Sequence, residues 1–395
     1  MGLELKLRLA VFVQASRVLP WTICRSPVPE LRSATVGTGC AECVPKSKYG
    51  GIRVTGLTVE RVREIARSIS IRDAGLGREI DAAADHCFCG VRVQVSGRSG
   101  VGKSSVRAVL KLHPDLRIDD VEIVEAASID VPRSPDPVLD GDVVVHVLTG
   151  GAQQADLDVV AASPDVVAVL AKADTIDDLD SVVRRLTTAV GATIYPVMGT
   201  IAASVMRGRP DTFDPLRPVA ADTTAEVSAE ALLTPERFLK AQLPISRRLR
   251  LELVESIETC GIGLVLDAVR GNPAVDDATL RLMLVNKSGI DAAARAVRRA
   301  VDAVHVDRQG RLLHRLTEWA ARYPHLPEFE HYLATDEAVV AIMRSALRAL
   351  DEPEDQAPAL ATVQLWRDRW QSARDPGHAR ASLAIARGYL RLRTP

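Results

Sequence analysis

The chain has 395 residues, enough for two or three domains and a sizeable core, and its 50 Lys and Arg balance 51 Asp and Glu to a formal charge of -1. That balance gives no support to a polyanion-binding protein, and an aromatic content of 4% gives none to stacking platforms for single-stranded nucleic acid. The six cysteines, Cys24, Cys40, Cys43, Cys87, Cys89 and Cys260, are too sparse for a disulfide framework, so a reducing cytoplasm is the expected compartment. No apolar run approaches the ~18 to 20 residues of a membrane helix.

Residues 1–54 carry Pro20, Pro27, Pro29, Pro45 and paired glycines with no sustained period, and are expected to be a poorly ordered extension. The apolar patch Leu9 to Val13 is shorter than the ~7 to 15 residues of a secretory signal core, so export is not expected. From Thr58 to Asp85 the apolar spacing predicts helix with a break near Gly75, and Val91 to Ser96 alternates as a strand. Further strands are predicted at Val121 to Val124, Val143 to Leu148, Val166 to Leu170 and Ile194 to Val197. Helices are expected between them at Ser104 to Leu112, Asp156 to Ala162 and Asp177 to Val190. Strands alternating with helices define an α/β fold, a mostly parallel sheet with helices on both faces, over residues 55–220.

After Ala220 the pattern turns helical, and residues 221–395 are expected to form a separate bundle. Its predicted helices are Ser228 to Gln242, Ile245 to Arg270, Asp277 to Asn286, Asp291 to Val304, Arg311 to Tyr323, Asp336 to Leu350 and Ala359 to Arg374, with Asp291 and Asp336 as N-caps. Trp366 and Trp370, one turn apart, are expected to anchor the last of these on the bundle. Arg-rich stretches such as Arg247, Arg248, Arg250 and Arg295, Arg298, Arg299 read as solvated faces at this net charge.

One segment carries the chemistry. Gly97, Arg98, Ser99, Gly100, Val101, Gly102, Lys103 and Ser104 match G-x-x-x-x-G-K-[ST] in full, after a Val-rich strand and before a helix, the setting of a P-loop. Glycines let successive N–H groups converge on phosphate oxygens, with the helix N-terminus behind them and Ser105 in its first turn. Lys103 is positioned to reach the β and γ phosphates as the catalytic cation, and Ser104 to ligate Mg²⁺. Arg98 inside the loop is either a charge stabiliser or, as favoured here, a solvent-facing side chain.

The run from Val166 to Asp174 resembles the strand and [NT]-K-x-D element of P-loop GTPases. There the Lys stem lies along the purine and the Asp carboxylate accepts the N1–H and 2-amino hydrogens of guanine, donors that adenine lacks. Lys172 and Asp174 fit, 71 residues after Lys103 in the case of Asp174, while Ala171 replaces the first position and leaves ATP open. Tyr195 to Thr200 stands where the family's weak base loop belongs. Asn286-Lys287-Ser288-Gly289 imitates the base motif but lacks its Asp. In place of the family's D-x-x-G, the chain has Glu125-Ala126-Ala127-Ser128. Glu125 can hold a metal-bound water, but Ser128 lacks a glycine's freedom to swing an N–H onto the γ-phosphate. About twenty residues between Ser104 and Glu125 leave little room for a full switch segment with its own strand. Asp119, Asp120 and Asp130 are further candidate metal contacts, read as solvated loop acids.

The helical region from Arg250 through Arg270 and from Asp277 to Asp291 resembles that following the G domain of bacterial, actinobacterial-type dynamin-related and Era-like GTPases. The whole resemblance spans roughly 58 to 350. It implies GTP and Mg²⁺ as cofactors, slow hydrolysis coupled to the helical domain, and self-association or a paralogous GTPase partner. It supplies no paddle-like membrane tip, and peripheral membrane contact stays open. A non-catalytic, nucleotide-gated interaction module is the alternative. Cys40, Cys43, His86, Cys87 and Cys89 offer zinc-type ligands, but the tight C-x-C spacing beside a buried strand favours ordinary thiols.

Overall fold

The computed structural model describes residues 57–393 apart from 118–119, 164 and 356–357; the extension 1–54, its cysteines Cys24, Cys40 and Cys43, and Asp119 lie outside the described residues. Helices α1 (Val59–Ser70) and α2 (Ala74–Phe88) are separated where the Asp73 carboxylate accepts the Gly75 and Leu76 N–H groups as an N-cap. Strand β1 (Val91–Gly97) then enters the glycine turn, followed by α3 (Lys103–Leu112), β2 (Val121–Glu125) and β3 (Val143–Leu148). Next come α4 (Gln154–Ala162), β4 (Val167–Ala171), α5 (Leu179–Val190), β5 (Ile194–Val197) and α6 (Gly199–Met206).

The five strands are parallel in the order β2-β1-β3-β4-β5. The register aligns Gly97 with Val147, Leu148 with Leu170 and Ala171 with Val197, so the loops after β1, β3, β4 and β5 open on one edge of the sheet. Chain order reverses at β1, which has β2 on one side and β3 on the other. Ligand crevices of open α/β sheets lie outside the carboxyl ends of the strands at such a switch point. Between α3 and β2 lies a single 3-10 turn, Pro114–Leu116, so the short interval after Ser104 holds no further strand among the described residues.

Odd-numbered residues of β1, β3 and β4, including Val93, Val95, Val145, Val147 and Val169, point into one core. Its helical side comes from Val106, Val109 and Leu110 of α3, from Ala202 and Ala203 of α6, and from Ile290, Ala293, Val297 and Val301. On the opposite face Leu148, Ala168, Leu170 and Ile194 pack against Leu186 of α5. Gln94 is buried on β1 because the 138–141 loop satisfies it: it donates to the Val138 carbonyl and accepts the Gly141 N–H at 2.9 Å.

The remaining helices are α7 (Leu216–Asp222), α8 (Ala225–Ala231), α9 (Pro235–Lys240), α10 (Arg247–Gly271), α11 (Asp277–Lys287) and α12 (Ile290–Arg322). They end with α13 (Pro327–Leu333), α14 (Asp336–Ala349), α15 (Leu360–Ser372) and α16 (Pro376–Arg393). Three differences from the sequence reading have local causes. The helix expected at 228–242 is two short ones, because the Thr234 hydroxyl caps a new start immediately before Pro235. The two helices expected at 291–304 and 311–323 are one continuous helix of 33 residues, α12. Gly310 does not break it; a Cβ there would fall 2.1 Å from Ser345 Oγ, so the glycine serves close approach to α14. Gly289 and Thr335, and not the aspartates that follow them, occupy the cap positions. Trp366 is buried as expected, whereas Trp370 remains 38% exposed.

A core boundary at residue 220 is not seen. Residues 52–395 form one compact unit, and the first half of α12 belongs to the sheet's own core. Arg308 fixes that helix further down, its guanidinium 5% exposed and donating to the Cys89 carbonyl at 2.6 Å and to Asp142 at 2.7 Å. The second half of α12, with Leu312, Leu313 and Leu316, packs with α1, α2 and α13. Helices α14, α15 and α16 share a last core around Met343, Trp366 and Tyr389. Gly388 of α16 lies against α14 so closely that a Cβ would come 2.3 Å from Met343 Cβ. Gly388→Val is expected to lower the melting midpoint through about 1 to 3 kcal/mol of overpacking, read by thermal denaturation. No helix among the described residues is long and apolar enough to cross a membrane.

Candidate functional site

The loop after β1 turns on three glycines with positive φ: 147° at Gly97, 74° at Gly100 and 104° at Gly102. Space is as restrictive as conformation. A Cβ at Gly97 would lie 2.6 Å from the Val147 carbonyl oxygen, and one at Gly102 would lie 3.3 Å from Ala171 Cβ. Lys103, buried at the start of α3, curls back under this loop. Its ammonium donates to the carbonyls of Gly97 and Arg98, both at 3.0 Å, and to Ser128 Oγ at 2.8 Å. Burial lowers its pKa, and the nearby Glu125 carboxylate works against that shift.

Ser104 donates to Glu125 Oε1 at 3.0 Å, bringing a hydroxyl and a carboxylate together beside the loop. Two oxygen donors of this kind suit a hard cation whose other ligands are phosphate and water, as Mg²⁺ requires. No cluster of three or more His, Cys, Asp or Glu side chains fit to hold a metal occurs among the described residues. Asp120 stands at the opposite end of the sheet, at the start of β2 and 3.4 Å from His305, so it is no metal contact of this site. Asp130, exposed beyond β2, uses its N–H on Asp136.

Arg98 departs from the expectation that its side chain faces solvent. Its Nε lies 3.0 Å from the fully buried Asp156 carboxylate and its Nη2 donates to the Gly151 carbonyl. Asp156 also meets His146 Nε2 at 3.0 Å and accepts the Gln153 N–H. Burial pushes the Asp156 carboxyl up, but the hydrogen bonds from His146 and Gln153 and the charge of Arg98 outweigh it and hold the group below the usual range. This network braces the glycine loop from beneath, and nothing in the sequence spacing of residues 98, 146 and 156 announces it.

Lys172 and Asp174 follow β4 in a 3-10 turn. Lys172 has a left-handed φ of 57° and donates from Nζ to the Gly100 carbonyl at 2.9 Å, joining this turn to the glycine loop across 72 positions of sequence. Beside them opens a cleft of about 920 Å³ lined by Gly102, Ser105, Lys172, Asp174, Thr200 and Glu258, among others. Gly199 and Thr200, in the poorly matching loop after β5, do reach this cleft. The imitation motif at 286–289 has a structural use: the Ser288 carbonyl accepts the Met198 N–H at 2.9 Å and so holds that loop.

Glu258 was not legible in the sequence. It interrupts α10 with φ 57° and ψ 175°, a conformation that costs a non-glycine residue about 1 to 3 kcal/mol. It lines the cleft together with Asp174 and Thr200, and burial, with the neighbouring Asp174, raises its pKa to about 7. Cys87 is an ordinary buried thiol, pushed up to about 11 by burial, and Cys89 donates to the His86 carbonyl. The chain matches no protein-family model, and no curated protein is similar to it.

Proposed function

We propose that this protein is a P-loop GTPase-like protein that binds GTP with Mg²⁺ and hydrolyses it slowly. The observation that supports the reading is the bond from Lys172 to Gly100, which joins the turn holding Asp174 to a loop of complete G-x-x-x-x-G-K-S sequence, with Asp174 and the loop's Gly102 lining one cleft. Asp174 would accept N1–H and 2-amino hydrogens, and the Lys172 stem would lie along the purine. Gly97 to Ser105 would wrap the phosphates, with Ser104 and Glu125 holding the cation, whose chemistry is to neutralise charge on the β and γ oxygens. Lys103 would leave its carbonyl and hydroxyl partners for the phosphates and stabilise charge as water attacks the γ-phosphate in line. No side chain of the described residues stands as a catalytic base, and the Arg98 guanidinium is committed to Asp156. The reading places the protein in the cytoplasm, with nucleotide as its first partner and a second copy or a paralogous GTPase as its protein partner.

The runner-up, a nucleotide-gated module without turnover, is favoured by one observation. Ser128, where the family carries the mobile glycine, is bonded to Lys103, and no switch strand lies between Ser104 and β2 among the described residues. Calorimetric titration with GTP, GDP and ATP, followed by a phosphate-release assay, separates these readings. GTP and GDP are expected to bind at least tenfold more tightly than ATP, with turnover well below one per minute. An ATP preference overturns the guanine assignment, and tight GTP binding with no phosphate release leaves the non-catalytic module.

A further inference from the structure

Helix α10 does not merely pass the cleft; it breaks there. A non-glycine residue held at φ 57° in the middle of a helix needs a reason, because an uninterrupted helix would keep the Glu258 N–H and carbonyl in its ladder. The break turns the Glu258 side chain toward the turn after β4, where it contacts Asp174 and Thr200 with Lys172 close by. We propose, resting on the nucleotide reading above, that Glu258 and a guanine base compete for the Asp174 carboxylate, so that the residue reports occupancy of the base pocket to α10.

The chemistry of the contact supports exclusion. Two carboxyl groups can share a hydrogen bond only when one carries a proton, and Glu258 and Asp174 line the same cleft, where guanine's N1–H and 2-amino group would need the Asp174 carboxylate for themselves. Guanine supplies donors of its own, so Glu258 must then release Asp174 and move toward water, where a glutamate returns to its usual 4.5. The groups facing Glu258 across the cleft are Lys172, Asp174, Asp177, Cys260 and Asp267, with Thr200 as the neutral partner.

The sign follows from linkage. In contact with Asp174 the Glu258 carboxyl keeps its proton until the pH approaches about 7, whereas the displaced group is ionised above its usual value. Guanine binding therefore releases up to one proton between about pH 5 and 7, and affinity rises by up to tenfold per pH unit over that window, then levels off. Above it the contact has already lost its proton, and the competition fades.

The test uses the full chain and GDP, titrated calorimetrically from pH 5.5 to 8 in pairs of buffers with different ionisation enthalpies. Wild type is expected to release close to one proton at pH 6 and to bind GDP roughly ten- to thirtyfold more tightly at pH 7.5 than at pH 5.5. Glu258→Gln, titrated with the same nucleotide, should lose that slope relative to wild type, which cancels protonation of the phosphates and of the other acids in the cleft. Glu258→Ala should bind GDP more tightly than wild type at pH 6, with circular dichroism verifying that both variants fold. Equal slopes in wild type and Glu258→Gln overturn the competition and leave nucleotide binding intact. A wild-type chain that binds neither GDP nor ADP overturns the nucleotide reading and this inference together.

Discussion

Lys103→Ala should abolish binding of GTP and GDP, weakening affinity by at least a hundredfold, about 3 kcal/mol, in calorimetric titration. The ammonium is buried beneath the loop and makes three hydrogen bonds, to two loop carbonyls and Ser128. On the proposed reading it exchanges these for phosphate oxygens, which are stronger acceptors because they are charged. Removing it also leaves the Gly97 and Arg98 carbonyls short of a donor, at about 1 to 3 kcal/mol of stability, so the variant should melt earlier while keeping its secondary structure. Nucleotide should raise the melting midpoint of wild type and leave that of the variant unmoved. A variant that binds GTP within threefold of wild type would falsify the assignment of this loop to phosphates.

The second large effect concerns Asp156. Asp156→Ala strips the partner from Arg98 and His146 in a site where the aspartate is wholly buried, and breaking such a pair typically costs about 3 to 5 kcal/mol. A fall of roughly 10 °C in the melting midpoint is the corresponding outcome. Combining Asp156→Leu with Arg98→Met, which removes both charges, should recover much of the loss. The pH dependence has a definite sign. A carboxyl held below its unfolded value contributes stability above that value and loses it as pH falls through the folded one. Wild type should therefore lose stability steeply from about pH 4 downward, and Asp156→Asn should show a shallower acid limb in denaturant titrations between pH 2 and 5. Equal acid limbs would remove Asp156 from the account.

The sheet was legible in the sequence because its central strands β3 and β4 are buried on both faces and read as short runs of Val, Leu and Ala, while β1 alternates, local patterns that demand no partner. The glycine loop was legible for the same reason: a positive φ and a close carbonyl at Gly97 leave a single residue type. What sequence could not supply were relations between distant positions. The gap left between the helices predicted to 304 and from 311 holds Gly310, and only the nearness of Ser345 explains a glycine inside the continuous helix. Helix α16 was missed because its two glycines and four arginines hide a stripe that packs on α14. Lys172 and Asp174, expected from the sequence as a guanine-binding element, line a cleft, whereas Glu258, which lines it too, sits in a helix whose spacing predicts nothing but continuity. Arg98 illustrates the same limit, its direction being set by a buried acid 58 positions away.

Helix α12 starts against the loop that follows β5 and ends among α1, α2 and α13. At 33 residues it is a rod of about 50 Å, held along its first half by the sheet's core and at Arg308 by Cys89 and Asp142. One helix thus serves as a strut common to two cores, so that the sheet and the cluster of α1, α2 and α13 are braced against each other.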